Sequence, residues 1–352
     1  MTEKYDVIIV GTAFAGVFFL LRYLEHAKPD ARVLVLERGA RDSKAWQLEH
    51  RRTSSSAPEE VFVNRTPEKV WLTSPGFGGN SKCWWGGATR MMPGDFELRS
   101  RYGVGIDWPM SYADLDRHYD VAEEVMAVSS PPDSPMPRSH PFPLPPHRLS
   151  DPDLLLKKHF PDGWFHARDG ACEPRHADAR CLLPHRPLRA LSGRRQVHGP
   201  EWSCADLRRP RVSFRLNVPV ETVETSASLA TGVVYLNEGK PERADAPLVV
   251  QAASAMCNPH ILLRSGITHP LLGKRLPEQM PVDVVLDLGG VKSYNGSTIV
   301  SGNGYLFYEG EHRRDYAACM DPDVERAIQL PERHLAQSAW PLDRACFPRV
   351  HV

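Results

Sequence analysis

The sequence carries no net charge and has no long apolar run. Its 43 Lys and Arg residues balance 43 Asp and Glu residues, so charge gives no reason to expect nucleic acid or a polyanionic partner. No apolar stretch reaches the length that a membrane span needs, and residues 1–5 carry mixed charge and lead straight into an apolar segment. These absences predict a cytoplasmic protein that does not cross a membrane.

Paired cysteines are absent too. The seven cysteines are scattered and odd in number, which does not fit a disulfide framework, and none forms the CxxC pair typical of a zinc site. The four histidines between residues 159 and 185 follow no ligand spacing. We therefore expect free thiols and no metal site.

The strongest motif lies in the first forty residues. Residues 6–10 form an apolar, β-branched run that predicts a buried strand, and a glycine turn follows at residues 11–16. An apolar stretch with helical spacing comes next, and residues 33–36 predict a second buried strand that ends at Glu37. Strand, glycine turn, helix, strand and acid follow one another as in an adenine dinucleotide site.

Each part of this unit has a role in holding a dinucleotide. Gly11 and Gly16 permit the tight turn, the helix N-terminus attracts the pyrophosphate, and Glu37 accepts a hydrogen bond from a ribose hydroxyl. Ala13 replaces the usual middle glycine, and its methyl group would crowd the phosphates. We predict a dinucleotide site here rather than an ordinary βαβ turn.

The next segments alternate between loops and one helix. Residues 42–66 are polar without periodicity and predict a loop, whereas residues 74–90 are rich in glycine and tryptophan. Glycine lets a backbone approach a flat ligand closely; the alternative is a glycine loop packed under two tryptophans. Ser111 predicts the N-cap of a helix that docks through a face formed by residues 115, 119, 122 and 126.

The second half of the chain returns to strands. Eight prolines in residues 131–146 predict a stiff connector. After it, residues 211–223, 230–235 and 246–253 each predict a strand, and the last of them is buried. We expect these strands to rejoin the nucleotide-binding sheet.

Together these motifs resemble the glucose–methanol–choline (GMC) family of flavoprotein oxidoreductases, especially its sugar- and polyol-oxidising branch. Residues 11–16 with Glu37 are similar to the family's FAD fingerprint, and residues 78–90 are similar to its second flavin loop. Residues 249–266 look like the strand, turn and helix that close over FAD. The resemblance extends over several independent motifs in the expected order.

The resemblance implies an α/β fold, with a three-layer Rossmann-like FAD-binding domain and a smaller α+β substrate domain. Residues 1–130 and 205–275 would form the FAD-binding domain, residues 131–204 a proline-rich connector and insertion, and residues 276–352 a partial substrate domain with an irregular tail. It assigns these residues to FAD binding: Gly11, Thr12, Ala13, Ala15, Gly16, Glu37, Arg38, Gly78, Gly79, Asn80, Ser81, Cys83, Trp84, Val220, Ala253 and Ser254.

Two features of the resemblance leave alternatives open. Cys83 stands where relatives with covalent flavin have a histidine, so a thiolate could attack the flavin methyl group; a small thiol beside noncovalent FAD is the favoured alternative. Relatives also carry a catalytic histidine, the general base, in a C-terminal motif that this sequence does not match. His312, His334 and His351 are candidates for that base, but none lies in a recognisable motif.

Three functional hypotheses follow. The main one is an FAD-dependent oxidoreductase that transfers hydride from a CH–OH group of a sugar, polyol or related alcohol to the flavin, with a base from the tail or from a partner chain. The second is a noncatalytic, truncated or split subunit that acts by association. The third is an NAD(P)-linked Rossmann enzyme, in which Glu37 suits NAD but the second glycine loop has no role.

Overall fold

The computed structural model describes residues 3–66, 71, 73–82, 87–146, 149–166, 169–170, 211–274, 276, 283–284, 302–320 and 349–350. The chain divides into two compact units. The first unit consists of Met1–Trp84 and Leu183–Pro281, and the second of Trp85–Leu182 and Val282–Val352. The dinucleotide motif therefore lies in the first unit.

Strands and helices succeed one another in both units. The elements in chain order are β1 (Glu3–Lys4), β2 (Val7–Val10), α1 (Phe14–His26), β3 (Val33–Leu36), α2 (Lys44–His50), α3 (Leu98–Tyr102), α4 (Tyr112–Met126), β4 (Val128–Ser129), α5 (Asp151–His159), β5 (Trp164–His166), β6 (Asp169–Gly170), β7 (Val212–Arg215), β8 (Val220–Ser226), β9 (Leu229–Asn237), β10 (Lys240–Asp245), β11 (Val249–Gln251), α6 (Cys257–Arg264), β12 (Asp283–Val284), β13 (Gly302–Phe307), β14 (Ala318–Met320) and β15 (Arg349–Val350). Short 3-10 turns cover Pro58–Glu60, Gly79–Lys82, Pro93–Phe96 and Glu311–Arg314.

A parallel sheet with the order β11-β2-β3-β7 forms the centre of the first unit. One row across it joins Val249, Ile8, Leu34 and Ser213. Every residue of β2 and β3 is buried, as expected for parallel strands covered on both faces. The two buried strands predicted from their apolar runs are therefore confirmed.

The sheet lies between a helix on one face and an antiparallel sheet on the other. Alternate residues of β2 and β3 point to opposite faces, since successive strand side chains alternate. The residues on the α1 side form a cluster: Val7, Ile9, Leu20, Leu24, Val33 and Val35. Those on the opposite side, Ile8, Val10, Leu34 and Leu36, pack with Val223, Val233 and Tyr235 of the antiparallel sheet. The predicted three-layer α/β domain is confirmed.

The antiparallel sheet consists of β10, β9 and β8, and the short strand β1 joins it by pairing in parallel with β10, which gives the order β1-β10-β9-β8. Residues 211–223, predicted as one strand, instead form β7 in the parallel sheet and β8 in the antiparallel sheet. The chain leaves β7 through Asn217, whose φ of +60° ends the extended conformation. The prediction of a single strand was wrong because both pieces alternate alike and differ only in their partners.

The prediction of a continuous loop over residues 42–66 was also wrong. This segment contains α2, whose N-cap Ser43 accepts a hydrogen bond from the Trp46 backbone N–H at 3.1 Å. Only Gln47 of this helix is buried, so no apolar periodicity revealed it.

The second unit contains the predicted helix α4. Ser111 caps it, and the side chain of Asp114 accepts in return from the Ser111 backbone N–H at 2.8 Å. The predicted docking residues are half-buried, whereas the residues of α4 that are fully buried are Tyr112 and Glu123. The helix therefore packs through a partly polar face.

The proline-rich segment is a loop that folds back rather than a connector. Leu144 forms a parallel bridge with Ser129, and its N–H donates to the Val128 carbonyl at 3.2 Å. Elsewhere in this unit, β5, β13 and β14 form an antiparallel sheet.

Gln251, at the end of β11, has a buried side-chain amide whose nitrogen and oxygen find no partner in the described part of the chain. Gln251 is paired with Val10, whose side chain lies in the core between the two sheets. An unsatisfied buried amide costs about 1–3 kcal/mol. The amide is therefore a weak point of this core.

Replacing Gln251 with leucine is expected to raise the free energy of unfolding by about 1–3 kcal/mol, because the orphaned amide disappears. Urea denaturation measures this change. Gln47→Leu is the matched control. The Gln47 side chain donates to the Thr53 carbonyl at 3.3 Å, so its replacement is not expected to raise the free energy of unfolding. A Gln251→Leu variant less stable than the unmodified protein would contradict the prediction.

Candidate nucleotide-binding site

The turn between β2 and α1 requires glycine at two positions. Gly11 has φ +103°, and a Cβ there would lie 2.4 Å from the Ala252 carbonyl oxygen. A Cβ on Gly16 would lie 2.2 Å from the Gly11 carbonyl oxygen. Both contacts are far shorter than van der Waals distance, so the first turn of α1 packs directly on the strand ends.

The N-terminus of α1 is not capped by any side chain of this helix. Its N-cap residue, Ala13, has no side chain that can accept a hydrogen bond, and the first turn contains no acidic residue. The helices α4 and α5, by contrast, begin with Ser111 and Ser150 in complete capping boxes. The dipole of α1 therefore favours an external anion at this point, and a pyrophosphate would be such an anion.

Glu37 is buried at the end of β3, where it accepts three hydrogen bonds. Its Oε2 accepts from the Thr12 hydroxyl at 2.6 Å and from the Thr12 backbone N–H at 3.2 Å, and its Oε1 accepts from the Gly39 N–H at 3.1 Å. A carboxylate offers about four acceptor positions. One position thus remains for a donor such as a ribose hydroxyl.

The second glycine loop packs against this turn. The Gly78 N–H donates to the Thr12 hydroxyl oxygen at 2.9 Å. A Cβ on Gly79, which has φ +49°, would lie 3.0 Å from the Ala13 Cβ, so the methyl group of Ala13 faces this loop. The structure therefore brings together the two glycine motifs, which are 66 residues apart at this hydrogen bond.

The polar residues of the second glycine loop form hydrogen bonds within that loop. Asn80 is exposed, and its Oδ1 accepts from the Ser74 N–H at 2.8 Å. The Ser81 hydroxyl donates to the Gly78 carbonyl at 2.6 Å, and the buried Lys82 ammonium donates to the Pro75 carbonyl at 2.9 Å. Cys83 and Trp84 lie outside the described residues.

The closing turn after β11 stands next to the first glycine turn. Ala252 forms the contact with Gly11, and the Ala253 N–H donates to the Asn258 Oδ1 at 2.8 Å. Ser254 has φ +97°, a conformation that favours glycine. The turn therefore holds a serine in a backbone conformation that side chains rarely adopt.

Three further predicted residues lie at the edges of this site. Ala15 is exposed in the first turn of α1, and Arg38 is exposed with its guanidinium donating to the Glu60 carbonyl at 3.3 Å. Val220 is the first residue of β8, and its side chain packs against the core between the two sheets.

A buried arginine in the second unit was not predicted. The Arg90 guanidinium forms ion pairs with Asp116 at 2.6 Å, Asp120 at 2.6 Å and Glu123 at 2.7 Å. Burial lowers the pKa of Arg90, but hydrogen bonds with Glu123, Tyr112 and Asp120 outweigh burial and raise it. The signal that could have revealed the cluster is the spacing of the acids, which places all three on one face of α4.

The cluster also holds the proline-rich loop. Arg138 of that loop pairs with Glu123 at 2.7 Å, and His140 contacts Asp120 at 2.7 Å. The Tyr112 hydroxyl donates to the Pro137 carbonyl, and burial raises the pKa of Tyr112. Helix α4, the loop and Arg90 therefore share one polar core.

A second polar cluster joins distant parts of the same unit. Arg313 pairs with Asp95 at 2.7 Å and with Glu309 at 3.1 Å. The Tyr308 hydroxyl donates to Asp95 at 3.1 Å, and burial raises the pKa of Tyr308. Each of these groups is partnered, so the cluster fastens residues 92–102 to residues 302–320.

The candidate bases and metal ligands give little further chemistry. A ring nitrogen of His312 lies 2.9 Å from the Phe307 carbonyl oxygen, and His334 and His351 lie outside the described residues. Within the described ranges, no three His, Cys, Asp or Glu side chains gather as metal ligands would. In the same ranges no helix is both long and apolar enough to cross a membrane.

The three-layer fold is of the Rossmann type, and the uncapped N-terminus of α1 and the hydrogen bond between Thr12 and Glu37 are features that suit a dinucleotide. The comparisons with known proteins agree with the predicted resemblance. No protein-family model matches the chain. An uncharacterized GMC-type oxidoreductase of Rhodococcus erythropolis is 27% identical over 313 residues, covering 83% of this chain and 58% of the relative.

Two further curated relatives are dehydrogenases by name. The 2-methyl-1,2-propanediol dehydrogenase of Mycolicibacterium austroafricanum is 26% identical, covering 93% of this chain and 64% of the relative. The fructose dehydrogenase large subunit of Gluconobacter japonicus is 27% identical, covering 41% of this chain and 31% of the relative. The similarity to GMC-type oxidoreductases predicted from the motifs is thereby confirmed.

The chain spans less than two thirds of the length of each of these three relatives. Among solved structures, an FAD-dependent oxidoreductase from Chaetomium thermophilum is 18% identical with a TM-score of 0.49, and covers 75% of this chain and 48% of that structure.

Proposed function

We propose that the chain is an FAD-dependent oxidoreductase that acts on a CH–OH group of a sugar, polyol or related alcohol. The observation that carries this proposal is that the Thr12 hydroxyl bonds to both Glu37 and Gly78. It thereby connects the acid proposed to bind the ribose with the second glycine loop. An NAD(P) enzyme has no use for that second loop. A flavin nucleotide needs both a pyrophosphate cradle and a loop beside its ring.

The residues present fit FAD. Gly11 and Gly16 keep the turn free of side chains, and the uncapped start of α1 would receive the pyrophosphate. Glu37 has one acceptor position left for the ribose. When bound, FAD would supply the hydride acceptor for the oxidation of the alcohol.

The substrate class and the partner are proposed from the named relatives. Fructose and 2-methyl-1,2-propanediol dehydrogenases share a small hydroxylated substrate, so we propose a small sugar or alcohol for this chain. The base that removes the hydroxyl proton would come from the C-terminal region or from a partner chain. The name of the fructose dehydrogenase relative describes it as a large subunit, which supports a partner chain as the source of the base.

An absorbance spectrum of the purified, desalted protein tests the proposal. We expect flavin bands between about 350 and 480 nm that bleach when a substrate sugar or alcohol is added without oxygen. Flavin that stays with acid-precipitated protein would favour the Cys83 link, whereas released flavin would favour noncovalent FAD. A colourless protein that also takes up no added FAD would overturn the proposal and favour a noncatalytic subunit.

Replacing Glu37 with alanine is expected to weaken FAD binding by about 10- to 100-fold, because a hydrogen bond to a charged group contributes about 1.5–3 kcal/mol. Quenching of flavin fluorescence measures the dissociation constant. Glu37→Gln keeps the shape of the side chain and is expected to lose less affinity. Glu25→Ala, at an exposed acid of α1, is the control that should retain full affinity. Equal affinity in all variants would refute the assignment of Glu37.

A further inference from the structure

Thr12 occupies a position that connects both halves of the nucleotide site. Its hydroxyl donates to Glu37 at 2.6 Å and accepts from the Gly78 N–H at 2.9 Å. Its side chain is buried, with 2% of the residue exposed. A hydroxyl is needed here because it donates and accepts at once, which an alanine or valine side chain cannot do.

The two hydrogen bonds of the Thr12 hydroxyl have different effects. The bond to Glu37 is charge-assisted and fixes the rotamer of the Thr12 hydroxyl. The fixed hydroxyl then presents a lone pair to the backbone N–H of Gly78. The carboxylate at the end of β3 therefore orients the second loop through one intervening atom, the hydroxyl oxygen of Thr12.

We propose that Thr12 is a positioning residue that couples the acid at the end of β3 to the second glycine loop, so that both are set in place together. The loop also approaches the turn at Gly79, where an added Cβ would lie 3.0 Å from the Ala13 Cβ. The purpose that we assign to this coupling rests on the proposed function, in which the second glycine loop faces the flavin ring. The hydrogen bonds themselves exist without the cofactor.

Hydrogen exchange on the apoprotein tests the coupling directly. In Thr12→Val, which keeps the shape and removes the hydroxyl, the Gly78 amide is expected to exchange about tenfold faster, the equivalent of one lost hydrogen bond. Thr12→Ser restores the hydroxyl and is expected to exchange as the unmodified protein does. Thr225→Val, at an exposed threonine of β8, controls for the change of residue type.

FAD titration of the same proteins gives the second measurement. Thr12→Val is expected to bind FAD about tenfold more weakly and to shift the flavin absorbance bands, whereas Thr12→Ser does neither. Unchanged Gly78 exchange in Thr12→Val, or a Thr12→Ser variant that behaves like Thr12→Val, would overturn the role of the hydroxyl. If the unmodified protein binds no FAD, the proposed function fails, while the exchange rates still decide the role of Thr12.

Discussion

Replacing Arg90 with methionine is expected to lower the free energy of unfolding by about 3–5 kcal/mol, the usual cost of removing one partner from a buried ion pair. Methionine fills a similar volume but removes the cation that Asp116, Asp120 and Glu123 share; of the three carboxylates, that of Glu123 still pairs with Arg138. The side chains of Arg90 and Glu123 are 1% and 5% exposed and those of Asp116 and Asp120 are 18% and 14% exposed, so water screens the repulsion between the carboxylates only weakly. Chemical denaturation measures the loss.

The controls separate burial from charge. Arg22→Met removes an exposed i,i+3 pair with Glu25 and is expected to cost less than about 1 kcal/mol. Arg90→Lys keeps the charge but cannot reach three carboxylates with a planar fork, so it should recover only part of the loss. Adding Asp116→Asn to Arg90→Met is expected to regain stability, because a carboxylate that has lost its ion pair with Arg90 is neutralised. If Arg90→Met cost no more than Arg22→Met, the cluster would have no structural role.

Gly11→Ala is expected to weaken FAD binding at least about 100-fold, equivalent to some 2.8 kcal/mol. The new methyl group would meet the Ala252 carbonyl oxygen at 2.4 Å, at a φ of +103° that side chains rarely adopt. The closing turn would have to move away from the strand ends, and with it the start of α1. The free energy of unfolding should also fall, by about 2–4 kcal/mol.

The matched control for this substitution is Gly239→Ala. Gly239 has a positive φ of +76°, but a Cβ there meets nothing within 4 Å. This variant therefore reports the cost of the backbone conformation alone, about 1–2 kcal/mol, and should leave FAD affinity unchanged. Equal FAD affinity in Gly11→Ala and Gly239→Ala would contradict the close contact between the two turns.

The parallel strands and the glycine turn were predictable because local sequence determines them. The runs at β2 and β3 are apolar at every position, which few structures besides a doubly covered strand accept. The positive φ at Gly11 likewise follows from the residue type. These features need no knowledge of distant residues.

The features that were missed depend on partners far away in the chain. Nothing near Arg90 shows that three acids of α4 surround it, and residues 211–223 alternate evenly although they divide between two sheets. The contact between Thr12 and Gly78 likewise arises only when both loops are in place. Helix α2 escaped prediction because one buried residue makes no periodic pattern.

The order of strands in the parallel sheet has a consequence for synthesis on the ribosome. Strands β2 and β3 are made well before their outer partners β7 and β11, which begin only at Val212 and Val249. The β3 edge of this valine-rich pair can therefore be covered only once the chain has been made to Arg215, and the β2 edge only once it has been made to Gln251. The nascent chain is exposed to aggregation during that interval, and the first unit can complete its folding only after β11 has been made.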